Sequence, residues 1–209
     1  EHSGAARAYD HPVSALRRCL TEVMGQLTAQ VGGAEAVEIV LAATTGSSRE
    51  LLGVFCGTGA IYNEIMAHTA GTTELDPGID TIFEIGGQDA KYVSLRNHVP
   101  VDYAMNEACS AGTGSFLEES AAGDLDIAHA EEIGPIAMQA TAPLKFGEHC
   151  SAFINSDIRK AISQGATRSD IVAGLTLSIV SNYLNRVVGS RTIGNRIVLQ
   201  GGVAKNPAM

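Results

Sequence analysis

At 209 residues, with 45% hydrophobic content and no long low-complexity stretch, the chain can bury a sizeable core without a staple. A formal charge of −9 excludes the broad basic surface that nucleic acid binding needs, and no continuous apolar run reaches the roughly 18 residues of a membrane helix. Glu1-His2-Ser3-Gly4 lacks the cationic-then-apolar order of a signal peptide, so the expectation is a cytoplasmic chain whose cysteines (Cys19, Cys56, Cys109, Cys150) are thiols, metal ligands or redox groups rather than disulfides.

In chain order, the first predicted element is a helix over residues 11–31. There Val13, Leu16, Leu20, Val23, Met24, Leu27 and Val31 recur at three- and four-residue steps, the spacing of one apolar face, and Gly32-Gly33 ends the run. Val37 to Ala42, rich in β-branched residues, predicts a strand; Thr44-Thr45-Gly46-Ser47-Ser48 predicts a turn before another helix. Between Asp80 and Asn106, three strand-like runs (81–85, 91–95, 100–105) are joined by Gly86-Gly87 and by Arg96-Asn97-His98, and that spacing predicts an antiparallel meander. Helices are expected over 115–122, 131–139, 156–163 and 170–188, the last with Ser169 as N-cap. Residues 196–200 read as a strand running into Gly201-Gly202. The order is that of an α/β protein, but periodicity alone does not name the fold.

Three places carry residue types with chemistry. Gly86-Gly87-Gln88-Asp89 lies between two predicted strands, where glycines let the backbone approach a bulky ligand and a carboxylate can hold magnesium or its waters. The same four residues also suit an ordinary tight hairpin with a hydrogen-bonding Asp. Gln200-Gly201-Gly202-Val203-Ala204-Lys205-Asn206 is a second glycine pair at a strand end, entering what reads as a helix whose N-terminus would accept a phosphate or nucleoside edge. Close packing is the commoner reason for such a pair.

Cys109 stands ahead of Ser110-Ala111-Gly112-Thr113-Gly114 and a helix expected from about Ser115. A thiolate there would face unpaired amides and a positive dipole, which lower a thiol pKa and stabilise the charge of a cluster. Cys150, in Gly147-Glu148-His149-Cys150-Ser151, precedes another helix expected from Asn155 or Ser156. The two cysteines are too far apart in sequence for a compact C-x-x-C knuckle, so a shared site depends on the fold bringing two loops together. Taken singly, each is also explained as a small buried hydrophobe, which is the reading for Cys19 and Cys56. The histidines fall in no zinc spacing, and no P-loop lysine motif, G-x-S-x-G elbow or dinucleotide fingerprint appears.

Together, the segments Phe83 to Lys91 (FEIGGQDAK), Met105 to Glu118 (MNEACSAGTGSFLE) and Gln200 to Asn206 (QGGVAKN) resemble the activators of 2-hydroxyacyl-CoA dehydratases, a family that includes the ATPase subunits of benzoyl-CoA reductase. The resemblance runs from Val37 to the C-terminus. It implies the two-lobed α/β fold of actin, hexokinase and heat-shock-protein ATPases, a ribonuclease H-like fold, with residues 1–79 in a first lobe and 80–209 in a second. By that resemblance Gly86, Gly87, Gln88 and Asp89 contact the phosphates and Mg of ATP or ADP, with Gln88 and Asp89 in the catalytic role and Lys91 completing the loop. Gly201, Gly202, Lys205 and Asn206 would line the adenosine side, and Thr45, Gly46 and Arg49 fall near the cleft. It further implies a homodimer in which Cys109 and Cys150 of each subunit hold one shared 4Fe-4S cluster. ATP hydrolysis would change the angle between helices behind that cluster, and an electron received from a ferredoxin or flavodoxin would pass to a dehydratase or reductase partner.

The family begins with a strand and hairpin carrying an acidic first phosphate loop. Nothing before Val37 resembles it, and the chain stops ahead of the family's closing helices, so the expectation is an incomplete first lobe and a fragment of a larger activator. Two other readings stand beside this one. A sugar or small-metabolite kinase of the same superfamily would use Asp89 as base and need neither cysteine. A non-catalytic regulatory or scaffold fragment would keep the fold without nucleotide turnover.

Overall fold

The computed structural model describes residues 11–106, 113–147 and 151–209. They form two compact units that divide between His68 and Thr69.

In the first unit, Pro12–Val31 is helix α1, which matches the predicted segment. Pro12 opens it at a position where a missing N–H costs nothing, and Gly32, at φ 88°, ends it by donating its N–H to the Thr28 carbonyl. A 3-10 turn, Ala34–Ala36, follows, and residues 37–43 then run without regular structure. The strand expected at Val37 to Ala42 is therefore absent: Ile39, Val40 and Leu41 are 68%, 85% and 75% exposed. Among the described residues, the pairing nearest to this run is a single parallel bridge between Thr44 and Ile61. β-branched residues favour a strand only where a partner ladder and a packed face exist. Helix α2 is Arg49–Cys56, entered through the Gly46 turn at φ 87°. Helix α3, Glu64–Leu75, contains the division between the units. Its apolar residues make no stripe, which is why periodicity did not announce it.

In the second unit, β1 (Thr81–Ile85), β2 (Ala90–Arg96) and β3 (Val99–Asn106) form the expected antiparallel meander. Asn97 and His98 adopt φ 51° and 65° at the β2–β3 turn, the two positive values of a type I′ hairpin. Strand β4 (Ile197–Gln200) pairs parallel with β1, giving the order β3-β2-β1-β4. A parallel neighbour needs a crossover. Helices α4 (Gly114–Asp124), α5 (Ala130–Ala137), α6 (Ser151–Ser163) and α7 (Arg168–Asn182) provide it. Asp80 anchors the return. Its carboxylate accepts from the Asn195 N–H at 2.9 Å and the Arg196 N–H at 3.2 Å, and the Asn195 bond is the main cause that holds its pKa below the ordinary aspartate value.

The helices differ from expectation at two ends. Helix α6 begins at Ser151, earlier than Asn155 or Ser156. Helix α7 is capped by Thr167 rather than Ser169: the Thr167 hydroxyl accepts from the Asp170 N–H at 3.2 Å. Asp170 then accepts from the Thr141 and Ala142 amides at 2.9 and 2.8 Å, which ties the segment after α5 to the start of α7. Helix α7 runs on as a π-helical segment, Tyr183–Val188. The stretch Arg168–Val188 has the length and composition of a membrane-crossing helix, and 67% of its most apolar window is buried inside the protein. One core gathers Phe116, Ile133, Ile158, Ile171 and Leu175 among these helices. A second joins Ile85 and Tyr92 of the sheet to Tyr183, Val187 and Val203.

Candidate functional site

Because β1 and β4 are parallel neighbours in register from Thr81–Ile197 to Glu84–Gln200, their C-terminal ends lie side by side. Both glycine pairs leave the sheet from those ends. Ligands of open α/β sheets bind at that edge, outside the carboxyl ends of the strands. Gly86 donates to the Asp89 carbonyl at 2.9 Å and closes the β1–β2 hairpin. Gly201 sits at φ 94°, so close to β1 that a β-carbon there would collide with the Ile85 carbonyl; only glycine permits both the angle and the approach. The start of α4 completes the cluster, since Gly114 and Ser115 donate their amides to the carbonyls of Gly86 and Gly87, each at 2.9 Å. The fold thus brings together 86–89, 113–115 and 201–203.

The outer side of this cluster is bare backbone. Gly87 and Gly202 are exposed, and a β-carbon on either would meet nothing within 4 Å. That is the form of surface on which phosphate and nucleoside groups approach a main chain closely. Magnesium takes oxygen donors, commonly one or two carboxylates together with phosphates and waters. Asp89, with a side chain 26% exposed on the hairpin, is such a donor, and Gln88 beside it is exposed. The residues present therefore fit magnesium nucleotide.

Beneath the hairpin lies a polar row. Glu84 of β1 pairs in register with Lys91 of β2 on one side and Gln200 of β4 on the other. Lys91 is 2% exposed and Glu84 5%. The Lys91 ammonium donates to Glu84 Oε2 at 3.1 Å and to Asp89 Oδ1 at 2.7 Å. Gln200 accepts from the Thr72 hydroxyl at 2.8 Å. The structure thus buries Lys91, which reaches the hairpin carboxylate Asp89. Glu84 was not singled out from the sequence. Its signal was a carboxylate between the apolar Phe83 and Ile85 of a short strand, facing a lysine across a hairpin, a pattern that fits a buried pair.

Other candidates fall less centrally. Gly202–Lys205 is a four-residue 3-10 turn rather than the expected helix, too short to develop an appreciable dipole, so this glycine pair would meet a ligand through its backbone alone. Lys205 is exposed at its end, while Asn206 accepts from the Ala208 N–H at 2.9 Å through Oδ1 and lies against Gly134 of α5. In the first unit, Arg49 donates to the Gly46 carbonyl at 3.2 Å, and the Thr44 hydroxyl donates to the Arg49 carbonyl at 2.9 Å.

Cys109 and Cys150 lie outside the described residues. In sequence, the described helix α4 begins five positions after Cys109, and α6 begins directly after Cys150. Two thiols placed just ahead of helix starts are soft donors of the kind iron–sulfur sites use. One expectation changes. The amides of Gly114 and Ser115 are not free to face a thiolate, because the carbonyls of Gly86 and Gly87 already take them. Among the described residues no group of three or more His, Cys, Asp or Glu side chains is placed to hold a metal ion, and Cys19 and Cys56 are half-buried free thiols.

Comparison with known proteins gives the family and the fold. A family model described as the BadF/BadG/BcrA/BcrD ATPase family matches residues 2–209. The (R)-2-hydroxyglutaryl-CoA dehydratase activating ATPase of Acidaminococcus fermentans is 30% identical over 150 residues, 69% of this chain and 54% of the relative. A benzoyl-CoA reductase subunit of Thauera aromatica is 28% identical over 175 residues, covering 82% and 59%. The chain spans about half the length of the first two curated relatives. The crystal structure of the A. fermentans (R)-2-hydroxyglutaryl-CoA dehydratase component A superposes with a TM-score of 0.82 at 25% identity, over 95% of this chain and 73% of that one. The activator of 2-hydroxyisocaproyl-CoA dehydratase from Clostridium difficile, solved with bound ADPNP, superposes at 0.75 and 30% identity, over 90% and 68%. The α/β fold is that of the actin-like ATPases.

Proposed function

The chain belongs to the BadF/BadG/BcrA/BcrD ATPase family, and on that footing we propose that it binds ATP at its paired glycine loops and serves as the ATP-dependent activator of a 2-hydroxyacyl-CoA dehydratase or benzoyl-CoA reductase type enzyme. One observation carries the reading. The carbonyls of Gly86 and Gly87 cap the first two amides of α4, and Cys109 lies five residues ahead of that helix. The loop that would grip phosphate is therefore bonded to the start of the helix that follows Cys109 in sequence. A shift of the hairpin between ATP- and ADP-bound states would pull on the start of α4 through two hydrogen bonds of 2.9 Å, a coupling of the kind an activator requires.

In this reading Gly86 and Gly87 approach the phosphates with their backbone. Asp89 and Gln88 hold magnesium and the attacking water in place. Gly201, Gly202, Lys205 and Asn206 border the adenosine side. Cys109 and Cys150 from each of two subunits hold a 4Fe-4S cluster, which supplies one electron of low potential when bound. The chain acts as a cytoplasmic homodimer, takes its electron from a ferredoxin or flavodoxin, and delivers it to the acyl-CoA enzyme.

Anaerobic reconstitution with iron and sulfide, read by iron content and molecular mass together, tests the cluster half of this reading. About two irons per chain in a dimer, lost in both Cys109→Ser and Cys150→Ser, are expected for a cluster shared across a two-fold axis. Iron that stays in either variant, or a monomer without iron, would overturn it.

A further inference from the structure

Helix α7 ends as a π helix, whose hydrogen bonds reach five residues back, as that of Gly189 reaches the Leu184 carbonyl at 2.8 Å. Such turns are rare and frequently stand at functional sites. Tyr183, at the junction, is 2% exposed and gathers in one core with Ile85 and Ala90, the last register pair of β1 and β2 before the hairpin, and with Val203 of the second glycine loop. Its ring stands edge-on to Phe83, with centroids 5.3 Å apart. Its hydroxyl donates to the Lys91 carbonyl at 2.8 Å, and Lys91 pairs with Glu84 in the register step next to Ile85 and Ala90. Burial above all, then the Glu84 charge, raises the phenol pKa, against a backbone hydrogen bond from Glu84 that lowers it. The hydroxyl therefore keeps its proton and stays a donor. It meets the backbone of both strands at the base of the hairpin.

A phenylalanine would pack the same core. Burying a hydroxyl is costly unless it is bonded, and a bonded one adds little net stability. What this hydroxyl adds is placement. We propose that Tyr183 is a positioning residue of the nucleotide site, its hydroxyl holding the base of the 86–89 hairpin against the end of α7, so that nucleotide on the hairpin and the π-helical turn influence each other. The inference rests on the reading of the hairpin as part of an ATP site. It assigns Tyr183 no contact with the nucleotide. Coupling of this kind is reciprocal: the bond that favours the ligand-ready hairpin is strengthened in turn when ligand binds. Tyr92 supplies the contrast within the same core, since its hydroxyl donates to the Thr192 carbonyl, on the segment that leads to β4 rather than on the hairpin.

The test titrates ADP with magnesium into purified wild type, Tyr183→Phe and Tyr92→Phe, records a thermal melt of each, and follows amide hydrogen exchange with and without MgADP. Both variants lose one buried hydroxyl bond and keep their rings, so similar small falls in melting temperature are expected. Tyr183→Phe alone should bind MgADP more weakly, by about fivefold, the weight of one hydrogen bond. In wild type, saturating MgADP should slow exchange at residues 184–189, and in Tyr183→Phe that slowing should shrink. A folded Tyr183→Phe that binds MgADP as wild type does would overturn the proposal and leave the ATP-site reading intact. An equal loss in both variants would do the same, because it would report a softened core rather than a placed hairpin. If Tyr183→Phe does not fold, wild type decides by itself: slowing at 184–189 supports the coupling and its absence overturns it. Wild type that binds no MgADP would overturn both the proposal and the reading on which it rests.

Discussion

Residues 11–68 and 69–209 carry apolar side chains in similar local patterns, yet they do different things with them. In the first unit α1 has a regular apolar stripe, but Leu20 and Val31 are exposed, as are Ile39, Val40 and Leu41 after it and Val54 and Phe55 of α2. Among the described residues of that unit, Ala15 and Ile65 are its buried apolar side chains. In the second unit Ile133, Ile158, Ile171 and Leu175 are all but inaccessible, and a glutamate and a lysine are sealed in with the sheet. The lesson is that periodicity specifies an element, whereas a core needs a second element facing it. In the second unit helices α4 to α7 supply that facing surface for one another, and the sheet faces the π-helical end of α7.

Three substitutions probe this contrast, read by local hydrogen exchange because two units need not unfold together. The largest effect is expected at Gly201→Val, where φ 94° and the Ile85 carbonyl leave no room for a side chain; it should destabilise the second unit by about 4 kcal/mol. A loss below about 1 kcal/mol would mean that the two glycine loops do not approach each other in solution. Next comes Thr167→Ala, which removes the N-cap of α7 and should cost about 1 kcal/mol. It also bears on pH. The Thr167 hydroxyl is the main cause that lowers the Asp170 pKa, followed by the Ala142 amide. A depressed folded value means the contribution of Asp170 is complete above the ordinary aspartate value of 3.8 and is lost as pH falls from there through the folded value. The second unit should therefore lose protection in that acid range, and Thr167→Ala should flatten the loss; an unchanged acid slope would break the assignment. The smallest effect belongs to Val40→Ala, expected within about 0.5 kcal/mol because the side chain is already in water. A cost of about 2 kcal/mol would show that the exposed run is covered in solution and would erase the contrast between the units.

Local chemistry made much of the second unit legible. The meander could be read because β-branched runs alternate with Gly86-Gly87 and Asn97-His98, residues that make tight turns at low cost. Helix α1 was legible from its three- and four-residue spacing. The cap of α7 was misplaced by two residues because Thr167 and Ser169 are chemically alike, and only the direction of the Asp170 amide chooses between them. The strand expected at Val37 to Ala42 failed for a physical reason already visible at Ile39: β-propensity describes a fit to a partner, and no ladder forms on that run.

The sequence by itself determined which segments turn, which face of α1 is apolar, and which residue types could grip a phosphate, a magnesium ion or iron, because these follow from backbone freedom and side-chain chemistry within a few residues. The tertiary structure alone decided that β4 returns parallel to β1, so that Gly86 and Gly201 share one edge of the sheet. It also decided that Lys91 faces Glu84 and Asp89 rather than solvent, and that Gly86 and Gly87 bond to the start of α4. Those relations join residues distant in sequence, and their energies come from burial and from hydrogen bonds that exist only once the sheet has closed.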